Sequence, residues 1–162
     1  MGTTITPAAM TVTITETISL NGYEQGSTNT LTIGSIKDVY KRILTIDADD
    51  DATVAVFKST TAITDGALDK DRVKYIRITN LDNSAAVNVS LQLDSGEDNS
   101  AADLSITHLL SAKQSFIMGS PDEAAHADDD AASIVTALTD LESIIVDPGA
   151  AAGTIEVFIA SI

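Results

Sequence analysis

The sequence predicts an all-β fold, an antiparallel β-sandwich of jelly-roll type. Three observations carry this. Of 162 residues, 18 are Ile, 10 Val and 20 Thr, so 48 are β-branched, and such side chains lose less in a pleated strand than in a helix. Apolar and polar residues alternate with a period of two in segment after segment, the mark of a half-buried strand. Turn-forming residues separate these segments at short intervals, giving about nine strands in the pattern of a sandwich.

Residues 1–9 read as a flexible arm and residues 10–162 as a single sandwich domain. The first strand covers residues 10–20, MTVTITETISL. Met10, Val12, Ile14, Ile18 and Leu20 share one side, Thr11, Thr13, Thr15, Thr17 and Ser19 the other, and only Glu16 interrupts the apolar side. Residues 21–29, NGYEQGSTN, are turn formers and read as a loop. Residues 31–36 form a short strand with Gly34 as the place for a bulge. In residues 38–46, Val39 and Ile43 oppose Tyr40, Leu44 and Ile46, and the acidic turn at 47–51 then leads to a strand at 53–59.

Residues 73–80, VKYIRITN, are a strand, 81–85 a turn, and 86–93 a strand with Val87, Val89, Leu91 and Leu93 on one face; the pattern predicts a hairpin. After a polar loop at 94–103, residues 104–110 and 113–118 predict a second hairpin around Ser111 and Ala112. Residues 120–132 form a long acidic loop. Residues 133–140 fit either a short helix or an irregular edge, with the edge preferred. Residues 141–147 and 154–162 predict a third hairpin around 148–153.

Charge narrows the range of functions. The net charge is −15, distributed unevenly. Residues 1–36 carry only Glu16 and Glu24. Residues 37–77 hold eight basic and eight acidic groups, and residues 78–162 hold fourteen acidic groups against Lys113 alone. Such a chain repels nucleic-acid phosphates, so neither DNA nor RNA is expected as a partner. There is no cysteine, hence no disulfide, thiolate metal site or cysteine nucleophile. No apolar run approaches a membrane-span length and the start lacks a secretory pattern, so no membrane partner is expected.

The candidate chemistry is sparse. Asp47, Asp49 and Asp51 are candidate oxygen ligands for Ca²⁺, although the loop lacks the Gly and distal Glu of an EF-hand. Asp122, Glu123, His126 and Asp128 to Asp130 form a second acidic set, and charge runs of this kind ordinarily remain solvated. His108 lies on an apolar strand side and reads as a partly buried, hydrogen-bonded side chain. No G-x-S-x-G elbow, Walker loop or G-x-G-x-x-G is present. The expectation is a protein that is not an enzyme and has no cofactor. Lys70, Arg72, Lys74 and Arg77 form a basic stripe that is either an interface for an acidic partner or the polar side of a strand paired with Asp65, Asp69 and Asp71.

VKYIRITNLD at 73–82, AVNVSLQL at 86–93, LSAKQSFIM at 110–118 and the terminal LESIIVDPGAAAGTIEVFI together resemble small β-sandwich structural proteins of tailed, notably marine, bacteriophage virions, of the capsid decoration type. That resemblance implies a virion location, attachment in many copies to the major capsid protein or other virion subunits, a homo-oligomer with a trimer favoured, and no catalytic residues. In that setting Thr3, Thr4 and Ile5 of the arm order on docking, and the mixed-charge segment with Lys70, Arg72, Lys74 and Arg77 faces neighbouring subunits. The alternative is a β-sandwich module for carbohydrate or a host surface, tail-associated or Ca²⁺-dependent. Sugar sites favour aromatic platforms, and this chain has only three Phe and three Tyr.

Overall fold

A computed structural model describes residues 4–59, 66–94, 104–127 and 137–162. Every helix-or-strand element among them is a β-strand. The chain divides into two compact units, Met1–Asp38 (with Ile162) and Val39–Ser161, whereas the sequence reading drew its boundary after residue 9.

The first unit is a two-stranded ribbon. β1 (Ala8–Thr15) pairs antiparallel with β4 (Thr28–Ile36). Register puts Thr11 opposite Thr32, Thr13 opposite Thr30 and Thr15 opposite Thr28, so one face is a ladder of six threonines. The other face brings Met10 to Ile33 and Val12 to Leu31. The bulge anticipated at Gly34 falls there: between the pairs Met10–Ile33 and Ala8–Ile36 the β4 side carries one extra residue, and Ser35 takes a φ of 62°. The first strand is shorter than predicted. It stops at Thr15, and the chain resumes as a two-residue hairpin of β2 (Ser19–Leu20) and β3 (Tyr23–Glu24). Asn21 and Gly22, both at positive φ, make the tight turn that an Asn-Gly pair favours. Glu16 donates its backbone N–H to Ser27 O at 2.8 Å. The backbones approach so closely that a Cβ on residue 26 would lie 2.0 Å from Glu16 O, which admits only Gly26.

The second unit is the antiparallel sandwich. Its strands are β5 (Asp38–Ile46), β6 (Ala52–Lys58), β7 (Leu68–Asp69), β8 (Val73–Asn80), β9 (Val87–Asp94), β10 (Leu104–Leu110), β11 (Ser115–Met118), β12 (Asp140–Asp147) and β13 (Gly153–Ser161). One sheet has the order β11-β8-β13-β5, the other β10-β9-β12-β6-β7, where β7 is a short parallel addition to β6. The two orders match strand for strand: each strand's chain neighbour holds the same rank in the other sheet. Connections of four to six residues join β5 to β6, β8 to β9, β10 to β11 and β12 to β13, and each steps from one sheet to the other. This is the jelly-roll order of eight strands.

The three predicted hairpins are therefore arches. β8 and β9 do not pair; β8 bonds β11 and β13, and β9 bonds β10 and β12. β10 and β11 likewise belong to different sheets, as do β12 and β13. Alternation reports which side of a strand is buried and is the same for a hairpin and an arch; the partner is set by packing two apolar faces together. The faces enclose a core that is almost wholly aliphatic. Ile76, Ile78, Leu93, Leu141, Ile144, Ile155 and Ile159 are at most 1% exposed, with Phe57 the one phenylalanine among them. Each such side chain contributes about 1.5–3 kcal/mol of transfer free energy. Of the preferred edge at 133–140, residues 133–136 lie outside the described residues; Thr139 makes an isolated bridge to Ala125, and β12 begins at Asp140.

Candidate functional site

The basic stripe is the first candidate, and its four cations do not share a surface. Lys70 follows β7 and turns toward β12, where its Nζ hydrogen-bonds Asp140 and lies 3.7 Å from Asp122 Oδ1. Burial disfavours the Lys70 charge, but the hydrogen bond and the attraction of Asp140, Asp122 and Asp71 outweigh it, so its pKa is raised. Burial opposes ionisation of Asp140 as well, and the Lys70 ammonium with the N–H of Glu123 overcomes it, holding that carboxyl below its usual range. Arg72 pairs with Asp69 at 3.1 Å, and Lys74 donates to Asp71 O at 2.8 Å. Arg77 lies on the outer face of the four-stranded sheet, bonded to Glu156 Oε1 at 2.5 Å and Thr79 Oγ1 at 2.8 Å, 5.8 Å above the Phe158 ring. Glu156 also binds Lys41 at 3.1 Å, and these hydrogen bonds, Lys41's first, lower its pKa against the opposing effect of burial. Thus Lys70 and Arg77 neutralise carboxylates 70 and 79 residues away in sequence. The alternative of pairing with local aspartates holds for Arg72; Lys74 bonds the backbone carbonyl of Asp71 and not its carboxylate, and Asp65 lies outside the described residues.

The acidic turn is the second candidate. Asp49 takes a φ of 61° and donates its N–H to Gly149 O at 2.7 Å, which ties the β5–β6 arch to the β12–β13 arch. A depression of about 400 Å³ is lined by Asp49, Asp50, Asp51, Asp147 and Gly149. An adjacent one of about 320 Å³ includes Tyr40, Arg42 and Asp47. Both are open surface. Asp47, Asp49 and Asp51 are near in sequence, yet among the described residues no three His, Asp or Glu side chains converge on a position for a cation.

The histidines lie apart. His108 is exposed, not partly buried, and its ring stacks on Phe116 at 5.1 Å and 29°, where edge strands β10 and β11 face each other. Its side of β10 is apolar, but an edge strand leaves that side open to water. His126 Nδ1 is buried without a hydrogen-bond partner among the described residues. Asp128 to Asp130 lie outside them, as does Thr3. Thr4 and Ile5 are exposed, Ile5 at 59%.

A feature that sequence reasoning missed lies in the ribbon. The side of residues 10–20 read as core-facing keeps Ile14 47%, Ile18 47% and Leu20 55% exposed; Leu31 is 54% and Tyr23 72% exposed. The available signal was charge: a segment of 36 residues with only two ionisable carboxylates is poorly suited to facing water.

No family model and no curated protein matches the chain. Among solved structures, a chain from work describing Bacillus endospore appendages as a novel family of disulfide-linked pili is similar over 76% of this chain and 88% of its own length, at 9% identity and a TM-score of 0.36. A likeness of that degree carries no argument.

Proposed function

We propose that this protein is a non-enzymatic structural subunit of a tailed-phage virion, a decoration protein that binds the head lattice in many copies. The observation that carries the reading is a division of labour along the chain. The unit Val39–Ser161 holds 21 acidic and 8 basic groups, and several of those cations are spent on internal ion pairs. It is a strongly anionic jelly roll with an aliphatic core, suited to facing solvent on a particle surface. The unit Met1–Asp38 holds three acidic groups and one basic group and exposes apolar side chains, as a segment that meets other protein does. Such a subunit stabilises a lattice by mass action, because it binds the assembled state and not the separated parts.

The test is electron microscopy of particles from the native source, labelled with an antibody raised against the purified chain. Label distributed over heads is expected. Label confined to tails, or absent from particles, overturns the reading. Deleting residues 2–9 tests the arm: weakened attachment is expected, and full occupancy removes the arm from the mechanism.

A further inference from the structure

We propose that Asn21 is a self-modification site, at which attack by the Gly22 backbone nitrogen converts the side-chain amide to a carboxylate. Water is the only co-reactant, and the conversion needs neither a lattice nor a partner.

The chemistry is the closing and opening of a five-membered ring. The Gly22 nitrogen bonds to Asn21 Cγ, the Cγ–Nδ2 bond breaks, and ammonia leaves with the proton that the Gly22 N–H gives up. Water then adds across one of the two C–N bonds of the cyclic imide. Opening at the side-chain carbon leaves an aspartate. Opening at the main-chain carbon leaves a β-linked residue, whose backbone runs through the former side chain and is one carbon longer. Nothing is oxidised or reduced; amide and water become carboxylate and ammonium.

The reaction needs a free nitrogen, an approachable carbon and a turn that opens. Asn21 and Gly22 are exposed, and neither the Asn21 side chain nor the Gly22 N–H has a hydrogen-bond partner among the described residues. Gly22 has no side chain to obstruct its nitrogen, and no atom lies within 4 Å of where a Cβ would be. Attack requires Asn21 to leave the left-handed region, where its φ is 52°. Only two residue pairs hold the turn, Ser19 with Glu24 and Leu20 with Tyr23. Glu24 ties the base of the hairpin through the N–H groups of Ile18 and Gly26 and leaves the tip alone. With Leu20 and Tyr23 both more than half exposed, local opening costs little.

The other described asparagines lack this combination. Behind Asn80, the Leu81 N–H is donated to Thr154 O at 2.8 Å, and behind Asn83 the Ser84 N–H is donated to Asp82 Oδ1 at 2.9 Å. Asn88 lies in β9, paired on both sides, with a β-branched valine following it. Asn29 lies within β4 with its amide on Ser27 Oγ at 3.3 Å.

Conversion changes the unit that carries it. Residues 1–36 hold only two carboxylates, and a third arises at the hairpin tip beside Leu20 and Tyr23. The β-linked product has too long a backbone to keep the two-residue turn.

Mass spectrometry of the full chain during incubation near neutral pH, beside a synthetic peptide of residues 18–25, tests this. A gain of about 1 Da is expected. After digestion at mildly acidic pH, tandem spectra of the tryptic fragment 1–37 are expected to place it on Asn21. The expected rate lies within about thirtyfold of the peptide's, an opening cost of at most about 2 kcal/mol. Asn21→Gln, whose ring would have six members, is expected to show no gain over the same time, with circular dichroism verifying its fold. A wild-type chain that converts more slowly than that limit overturns the proposal. So does a gain that arises first at Asn29, Asn80, Asn83 or Asn88.

Discussion

The side-chain amide of Asn80, at the end of β8, donates to the carbonyl oxygen of Leu110, at the end of β10, at 3.0 Å. The two strands lie in different sheets. The same amide donates to Ala85 O at 2.8 Å, and its oxygen accepts the N–H of Asp82 at 2.9 Å. Asn80 is wholly buried, with both amide N–H groups donating and its oxygen accepting. It thus fastens the β8–β9 arch to the start of the β10–β11 arch. The arch is held again at Asp82, whose carboxylate accepts the N–H groups of Ala85 and Ser84 and is kept below its usual pKa by them.

Replacing Asn80 removes three hydrogen bonds, the one to Leu110 O buried and those to Ala85 O and from Asp82 N half-buried. Asn80→Leu conserves volume and isolates that effect. The expected loss is about 3 kcal/mol, at about 1–3 kcal/mol for each stranded group after partial relaxation. A urea titration checks it through a lower midpoint at unchanged slope. Asn83→Ala, at an exposed position in the same turn, is expected to shift stability by under about 0.5 kcal/mol.

The strands themselves were legible in the sequence. The spans expected for β5, β8, β9, β10 and β12 agree with the structure within about a residue, because one buried face imposes a strict alternation. Pairing was not legible. VKYIRITN and VNVSLQL look like two arms of a hairpin, and only the buried Asn80 at their junction distinguishes an arch, since a hairpin end would leave that amide in water. The roles of Lys70 and Arg77 were hidden for a related reason. Their partners, Asp140 and Glu156, become neighbours only after the sheets form. In the first unit the reading went astray in the other direction. Period two in residues 10–20 implies a covered face, but a ribbon of two strands supplies its own pairing without burying that face.

The Lys70–Asp140 pair predicts a stability that falls at both extremes of pH. The Asp140 pKa is lowered in the folded state, so its contribution is present above the unfolded value of about 3.9 and is lost as pH falls through the folded value. The Lys70 pKa is raised, so its contribution is full below about 10.4 and is lost as pH rises through the folded value. Lys70→Met is expected to cost about 1 kcal/mol near neutral pH. The difference between variant and wild type should shrink as pH falls below the ordinary carboxylate range and as it rises above the ordinary lysine range. Thermal melts across that range check it, and a difference that does not depend on pH would assign Lys70 a packing role only.

Gly153 predicts a packing limit at the β12–β13 arch. A Cβ there would lie 2.9 Å from Pro148 Cβ and 3.0 Å from Val87 Cγ1, both firmly held atoms. Gly153→Ala is therefore expected to destabilise by about 1–3 kcal/mol through overpacking. Gly119 has open space around it and no positive φ. There the same change is expected to stabilise by about 0.4–1 kcal/mol by restricting the unfolded chain. Chemical denaturation of both variants checks the opposite signs.

Asp49 combines a left-handed backbone with a crowded charge, and the two effects separate by salt. It sits among Asp50, Asp51 and Asp147 around one depression and holds the Gly149 carbonyl through its N–H. Asp49→Asn removes the charge and keeps a side chain that tolerates positive φ. It is expected to stabilise by about 0.5 kcal/mol at low ionic strength and by nothing measurable in 1 M NaCl, where the repulsion is screened over about 3 Å. Asp49→Ala removes the same charge but introduces the left-handed cost of about 1–2 kcal/mol. It should lie below wild type at every salt concentration, and the gap between the two variants should not depend on salt. Melting temperatures at low and high NaCl supply both comparisons. A gap that closes with salt would mean that the φ of 61° is not what sets Asp49 apart from its neighbours.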